Sequence, residues 1–142
     1  MVTPTHVLDT DLFSLFVAAA EPVTSRVLAA PPGSVCIAVV TVEEALGGWY
    51  TLLRRATQPA ALAFAYERLA LTATACGKLP IFTLTVPGIA RSEALVRQKL
   101  GVTKNDLRIA AIALELGAAV VTRNARDFGR VPGLAVADWS AP

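Results

Sequence analysis

Asp9 and Asp11 in LDTD, Glu43 and Glu44 in VEEALGG, and Asp106 and Asp127 in NDLRIAAIALELGAAVVTRNARDF are six of the eleven acids in this chain. Gathered at one edge of a sheet, they would offer a hard divalent cation, Mg²⁺ or Mn²⁺, the carboxylate oxygens it prefers. Bunched carboxylates raise one another's pKa unless a cation compensates. A cation held there can polarise a phosphoryl oxygen, lower the pKa of a bound water and offset charge on a leaving oxygen, and that is the chemistry of phosphodiester hydrolysis. The sequence has no HExxH, Cys/His cluster, P-loop, GxGxxG or GxSxG, so zinc, nucleotide-cofactor and serine-hydrolase chemistry have no footing in it.

The elements that must position these acids alternate along the chain. A short apolar strand over 6–9 precedes a helix over 11–20, with Asp11 suited to its cap or first turn. A second short helix over 22–30 is stopped by the Pro-Pro-Gly at 31–33. The run VCIAVV at 35–40 has the β-branched character of a buried parallel strand. Thr41 is expected to cap the next helix, which carries Leu46, Trp49, Tyr50 and Leu53 at helical spacing. Further helices are expected over 59–75 and 89–100, and further strands over 81–84, 118–122 and 134–136. Thr103 caps a helix over 106–116 that Gly117 ends.

Strands separated by helices predict a three-layer α/β/α sandwich around a central parallel sheet of about four to five strands, as one domain over 1–142. Ligands of such sheets bind outside the carboxyl ends of the strands. Asp9 ends the first strand, Glu44 is expected in the first turn of the helix after the second, and Asp127 lies in the loop after the 118–122 strand. Asp106 joins them if its helix begins at the same edge. Taken singly, each acid has a structural use as a strand end, a helix cap or a partner of a helix dipole. Those uses leave the convergence itself unexplained.

Composition narrows the partners. Residues 1–47 hold five acids against one base, and residues 91–130 hold eight bases against four acids, within a net charge of +2. Such a split suits metal binding by one group of residues and phosphate binding by another. Apolar residues make up 54% of the chain and mean hydropathy is +0.55, which predicts an apolar face covered by a partner or a second copy of the chain, and so an oligomer. Glu67 and Arg68 interrupt one candidate membrane span, and Glu115 and Gly117 another. The start of the chain lacks the pattern of a signal peptide, so a cytoplasmic location without membrane contact is expected. Cys36 and Cys76 stand in apolar runs and read as reduced, buried thiols. His6 reads as a strand residue, and Trp49 and Tyr50 as core or subunit contacts.

From HVLDTDLFS through TVEEALGGW to NDLRIAAIALELGAAVVTRNARDFGRVPGLAVADW, the chain resembles the PIN (PilT N-terminus) domain ribonucleases, and among them the toxins of VapBC-type toxin–antitoxin pairs. The last segment is the most specific. The resemblance implies a PIN-like fold and a Mg²⁺ or Mn²⁺ site built by Asp9, Glu44, Asp106 and Asp127, with Thr10, Asp11, Thr122 and Asn124 in support. Glu44 has the family's E-x-x-x-G spacing to Gly48, and Glu43 has the same spacing to Gly47. Asp11 departs from the more usual Asn and adds a negative charge near the metal. Lys104, Arg108, Arg123, Arg126 and Arg130 flank the acids as candidates for RNA phosphates. Arg123 or Arg126 could instead be covered by a carboxylate of a partner. The implied partners are an RNA substrate, a cognate antitoxin and a second copy of the chain in a homodimer. Two rival readings are a PIN-like scaffold that binds RNA or protein without cleaving it, and a haloacid-dehalogenase-type phosphatase, which also places D-x-D after its first strand but needs a lysine and a later acid pair.

Overall fold

Val35–Ala38 is buried at all four positions, which a strand can be only if its sheet is covered on both faces. The computed structural model, which describes residues 2–142, has that architecture. Its elements in chain order are β1 (His6–Leu8), α1 (Thr10–Val17), α2 (Val23–Ala29), β2 (Val35–Ala38), α3 (Val39–Arg55), α4 (Pro59–Cys76), β3 (Ile81–Phe82), α5 (Val86–Arg97), α6 (Lys104–Leu116), β4 (Ala119–Val121), α7 (Ala125–Phe128) and β5 (Val136–Ala137). The five strands form one sheet in the order β3-β2-β1-β4-β5, and every neighbouring pair is parallel.

Side chains alternate across the sheet with the two-residue period of a strand. Val7, Cys36 and Val120 pack on one face with Leu95 of α5 and Leu107, Ile109, Ala110 and Ala113 of α6. Leu8, Ile37 and Val121 pack on the other with Leu12, Phe13 and Phe16 of α1, Val23 and Val27 of α2, and Ala75 and Cys76 at the end of α4. Cys36 is fully buried in β2, and burial pushes its thiol pKa up to about 12.

Several boundaries differ from the sequence expectation, each for a physical reason. Helix α3 begins at Val39 with Ala38 as its cap residue and no side-chain cap, because Val40 and Thr41 are drawn into the core. Thr41 therefore lies inside the first turn and does not cap it. Helix α1 is capped by Asp9, and Asp11 stands in its first turn, the second of the two places expected for it. Helix α5 starts at Val86, where Thr85 accepts from the Gly88 N–H and a proline occupies the first turn, a position proline favours. Asp127 lies in the one-turn helix α7 and not in a loop. Helix α6 follows the prediction closely: Thr103 caps it and Gly117 ends it at φ 66, where glycine avoids a Cβ penalty.

Candidate active site

From β1 the chain steps to β2 and β3 on one side, then crosses to β4 and β5 on the other. The strand order thus reverses between β1 and β4, the kind of switch point where parallel sheets open a crevice at their carboxyl ends. Asp9 follows β1 and Thr122 follows β4, and the two strand ends are tied by the Asp9 N–H donating to the Val121 carbonyl at 3.0 Å. The Asp9 carboxylate accepts from the Leu12 N–H at 2.8 Å as the cap of α1. Thr122, fully buried, accepts from the Asn124 N–H at 2.8 Å, and its hydroxyl lies near enough to Asp9 to favour the ionised carboxylate.

Glu44 approaches from α3, where the Thr10 hydroxyl donates to its Oε1 at 2.6 Å. The Thr41 hydroxyl lies 3.1 Å from that of Thr10 and buttresses it from behind. Because α3 begins at Val39, Glu44 stands in its second turn. Asp106 approaches from the first turn of α6, with its N–H donating to the Thr103 hydroxyl at 3.2 Å. Asp9, Glu44 and Asp106 share one cleft of about 490 Å³ with Thr10, Asp11, Ser14, Arg123 and Asn124. Glu43, exposed on the same helix, is not among its walls.

Burial and like charge govern the electrostatics. Burial, reinforced by Asp11 and Asp106, raises the Asp9 pKa from 3.8 to about 6 against the opposing hydrogen bonds from Thr122 and Leu12. Burial likewise raises Asp106, with the nearby carboxylates of Glu44 and Asp127 adding to it and the Thr103 hydroxyl opposing it. Each of these acids carries its negative charge at a cost that a cation would relieve.

The remaining residues named from the sequence divide into two groups. Asp127 is near enough to raise Asp106, but its own carboxylate is engaged by the Asn124 side-chain amide at 2.8 Å and by Arg130 at 3.2 Å. Asp11 is exposed at the cleft mouth and holds Arg123 in a two-pronged ion pair at 2.7 and 2.8 Å. Arg126 is exposed on α7. Lys104 and Arg108 do not flank the acids as their place in the sequence suggests; they line a separate groove against α5. Sequence reasoning missed Ser14 and Thr41. The first lies one helical turn after Thr10, a spacing that marks a shared face; the second was assigned to a cap.

The donor set fits a hard cation, since the cleft offers carboxylates, hydroxyls and an amide and neither sulfur nor imidazole. Among the described residues no three acids close on a single point, an arrangement suited to an ion held by one or two carboxylates with waters and a phosphate oxygen. Asp9, whose pKa the charge of Asp106 helps to raise, and Asp106 itself are the pair that could hold it.

No protein-family model and no curated protein sequence matches the chain. Solved structures do. A chain of a DNA-bound VapBC complex from Salmonella typhimurium superposes with a TM-score of 0.77 at 24% identity over 96% of this chain and 98% of that one. A chain of VapBC-1 from nontypeable Haemophilus influenzae gives 0.74 at 20% identity over 96% and 99%, and one of a toxin–antitoxin complex from Klebsiella pneumoniae gives 0.69 at 24% identity over 92% and 96%. At that identity a likeness over nearly the whole length of both chains establishes architecture, and the chain has the PIN-like α/β fold of these toxin–antitoxin structures.

Proposed function

We propose that this protein is a Mg²⁺- or Mn²⁺-dependent endoribonuclease, the toxin of a VapBC-type pair, restrained by a cognate antitoxin. The observation that carries the reading is the buried Asp9 carboxyl, raised to about 6 beside Asp106 and Glu44 in a cleft at the switch point of the sheet. The toxin role draws support from the structural neighbours, which are toxin–antitoxin complexes.

A cation bound by Asp9 and Asp106 would polarise the scissile phosphoryl oxygen and lower the pKa of an attacking water. The chain's own residues prepare that site. Thr10, backed by Thr41, fixes Glu44 so that its free oxygen can orient the water. Asn124 and Arg130 hold the Asp127 carboxylate near enough to Asp106 to raise its pKa, though Asp127 is not among the walls of the cleft. Arg123 sits at the mouth, where a phosphate can compete with Asp11 for its guanidinium. A cavity of about 290 Å³, in which Phe13, Val17 and Trp49 are joined by Arg68 and by Glu44 and Thr10 of the cleft, adjoins the site; it suits an antitoxin segment that carries an apolar side chain beside a polar one. Tyr50, Phe64, Tyr66 and Leu71, exposed on α3 and α4, supply apolar surface for a second copy or for that partner. The phosphatase alternative needs a lysine at the site, and among the described residues the walls of the cleft include none.

The test is cleavage of total cellular RNA by antitoxin-free protein with Mg²⁺ or Mn²⁺ against EDTA. Discrete metal-dependent fragments are expected, with Asp9→Asn and Asp106→Asn slower by about 100-fold or more. A cellular effect that persists in both variants, without cleavage, would replace the enzyme with a scaffold.

A further inference from the structure

Lys104 and Arg108 lie four residues apart on α6 and share a face, while Asp106 projects roughly half a turn away. They face α5, where Arg97, Ser92 and Val96 complete a groove of about 310 Å³ whose one acid is Glu93. Among the described residues the ion pairs are Arg123 with Asp11 and Arg130 with Asp127, so Arg97, Lys104 and Arg108 face the groove without an ion-pair partner, three cations to the single carboxylate of Glu93. The partner of Arg108 is the neutral Asn105 side chain at 3.1 Å.

Local helix stability explains only one of these cations. Arg97 is in the last turn of α5, where a positive charge complements the helix dipole. Lys104 is the first residue of α6, where the dipole disfavours it, and Arg108 adds a second positive charge one turn on. Like charges on one face at this spacing destabilise a helix. A groove assembled from such charges at the expense of the helix is organised for an anion.

We propose that the α5/α6 groove holds a backbone phosphate of the RNA strand beyond the cleft, so that the strand crosses the start of α6 between the two sites. This rests on the ribonuclease reading and extends it. The cleft and the groove share no wall residue and lie on opposite flanks of one helix, about 10 Å across. Only a strand long enough to pass around that helix engages both. The groove thus acts on RNA length and affinity, and the cleft acts on the bond.

The experiment measures binding to mixed-sequence single-stranded RNA of about 20 nucleotides in the Asp9→Asn background, where nothing is cut, as a function of salt. Replacing Arg97, Lys104 and Arg108 together with glutamine is expected to reduce the salt slope by about 0.7, the value for one phosphate of a single strand. On the active protein the same replacements are expected to raise KM for the long RNA about 10-fold, with kcat unchanged and cleavage of RNA of about 4 nucleotides unaffected. Glu93→Gln, which removes the groove's acid, is expected to move long-RNA affinity the other way. An unchanged slope, equal losses on long and short RNA, or no binding of the long RNA overturns the groove. Groove-dependent binding by a wild-type protein that cuts no RNA would instead sink the ribonuclease reading and leave the groove standing.

Discussion

A carboxyl raised from 3.8 to about 6 binds protons more tightly in the folded protein than in the unfolded chain. For Asp9 the sign follows directly: stability is greatest below about pH 4 and is lost as pH rises through about 6, amounting to about 3 kcal/mol at neutral pH. Burial is the first cause, so the cost persists at high salt, where exposed charges are screened. Asp9→Asn removes the charge and keeps a residue that caps α1 nearly as well. In metal-free protein this variant is expected to melt several degrees above the wild type at pH 7.5 and level with it near pH 4. Thermal melts across that range decide the point, and parallel profiles would show that Asp9 carries no such burden.

At the scale of elements, the parts that were legible in the sequence are those that local chemistry decides. Thr103 and Gly117 bound α6 because a hydroxyl and a glycine do at helix ends what few other residues can. The β-branched run at 35–38 marks β2, and Asp9 marks the end of β1. Tertiary forces decided the rest. The start of α3 was misplaced because burial of Val40 and Thr41 outweighs the lack of a polar cap at Ala38. Helix α7 is one turn long, too short to leave a period. Lys104 and Arg108 looked like companions of Asp106 because they are its neighbours in sequence, and the phase of the helix sends them to its far side. Helix α3 also contains Gly47 and Gly48, where an added Cβ would meet nothing within 4 Å. Gly47→Ala is therefore expected to stabilise the protein by about 0.5–1 kcal/mol, read as a higher melting temperature with the metal site intact.

On the scale of the molecule, the sheet order gathers the acids at one rim and leaves the cations of the α5/α6 groove outside it. Acids from α1 and α3 meet Asp106 of α6 across the β1/β4 switch point, and the cations of α5 and α6 remain on the outer flank. Among the described residues no helix is long and apolar enough to cross a membrane. The two layers of helices pack on alternate residues of the same few strands, among them Cys36, whose thiol faces the α5/α6 layer with no exposed surface. A thiol held near 12 by burial cannot react with an alkylating reagent until the sheet parts, because only the thiolate attacks. Cys76, at the frayable end of α4 and slightly exposed, needs a smaller opening. Mass-resolved alkylation should therefore show Cys76 modified first, with Cys36 following at the rate of global opening. The two thiols give the protein a built-in clock, from which the slowing of core opening by a bound metal or antitoxin can be read without any added label.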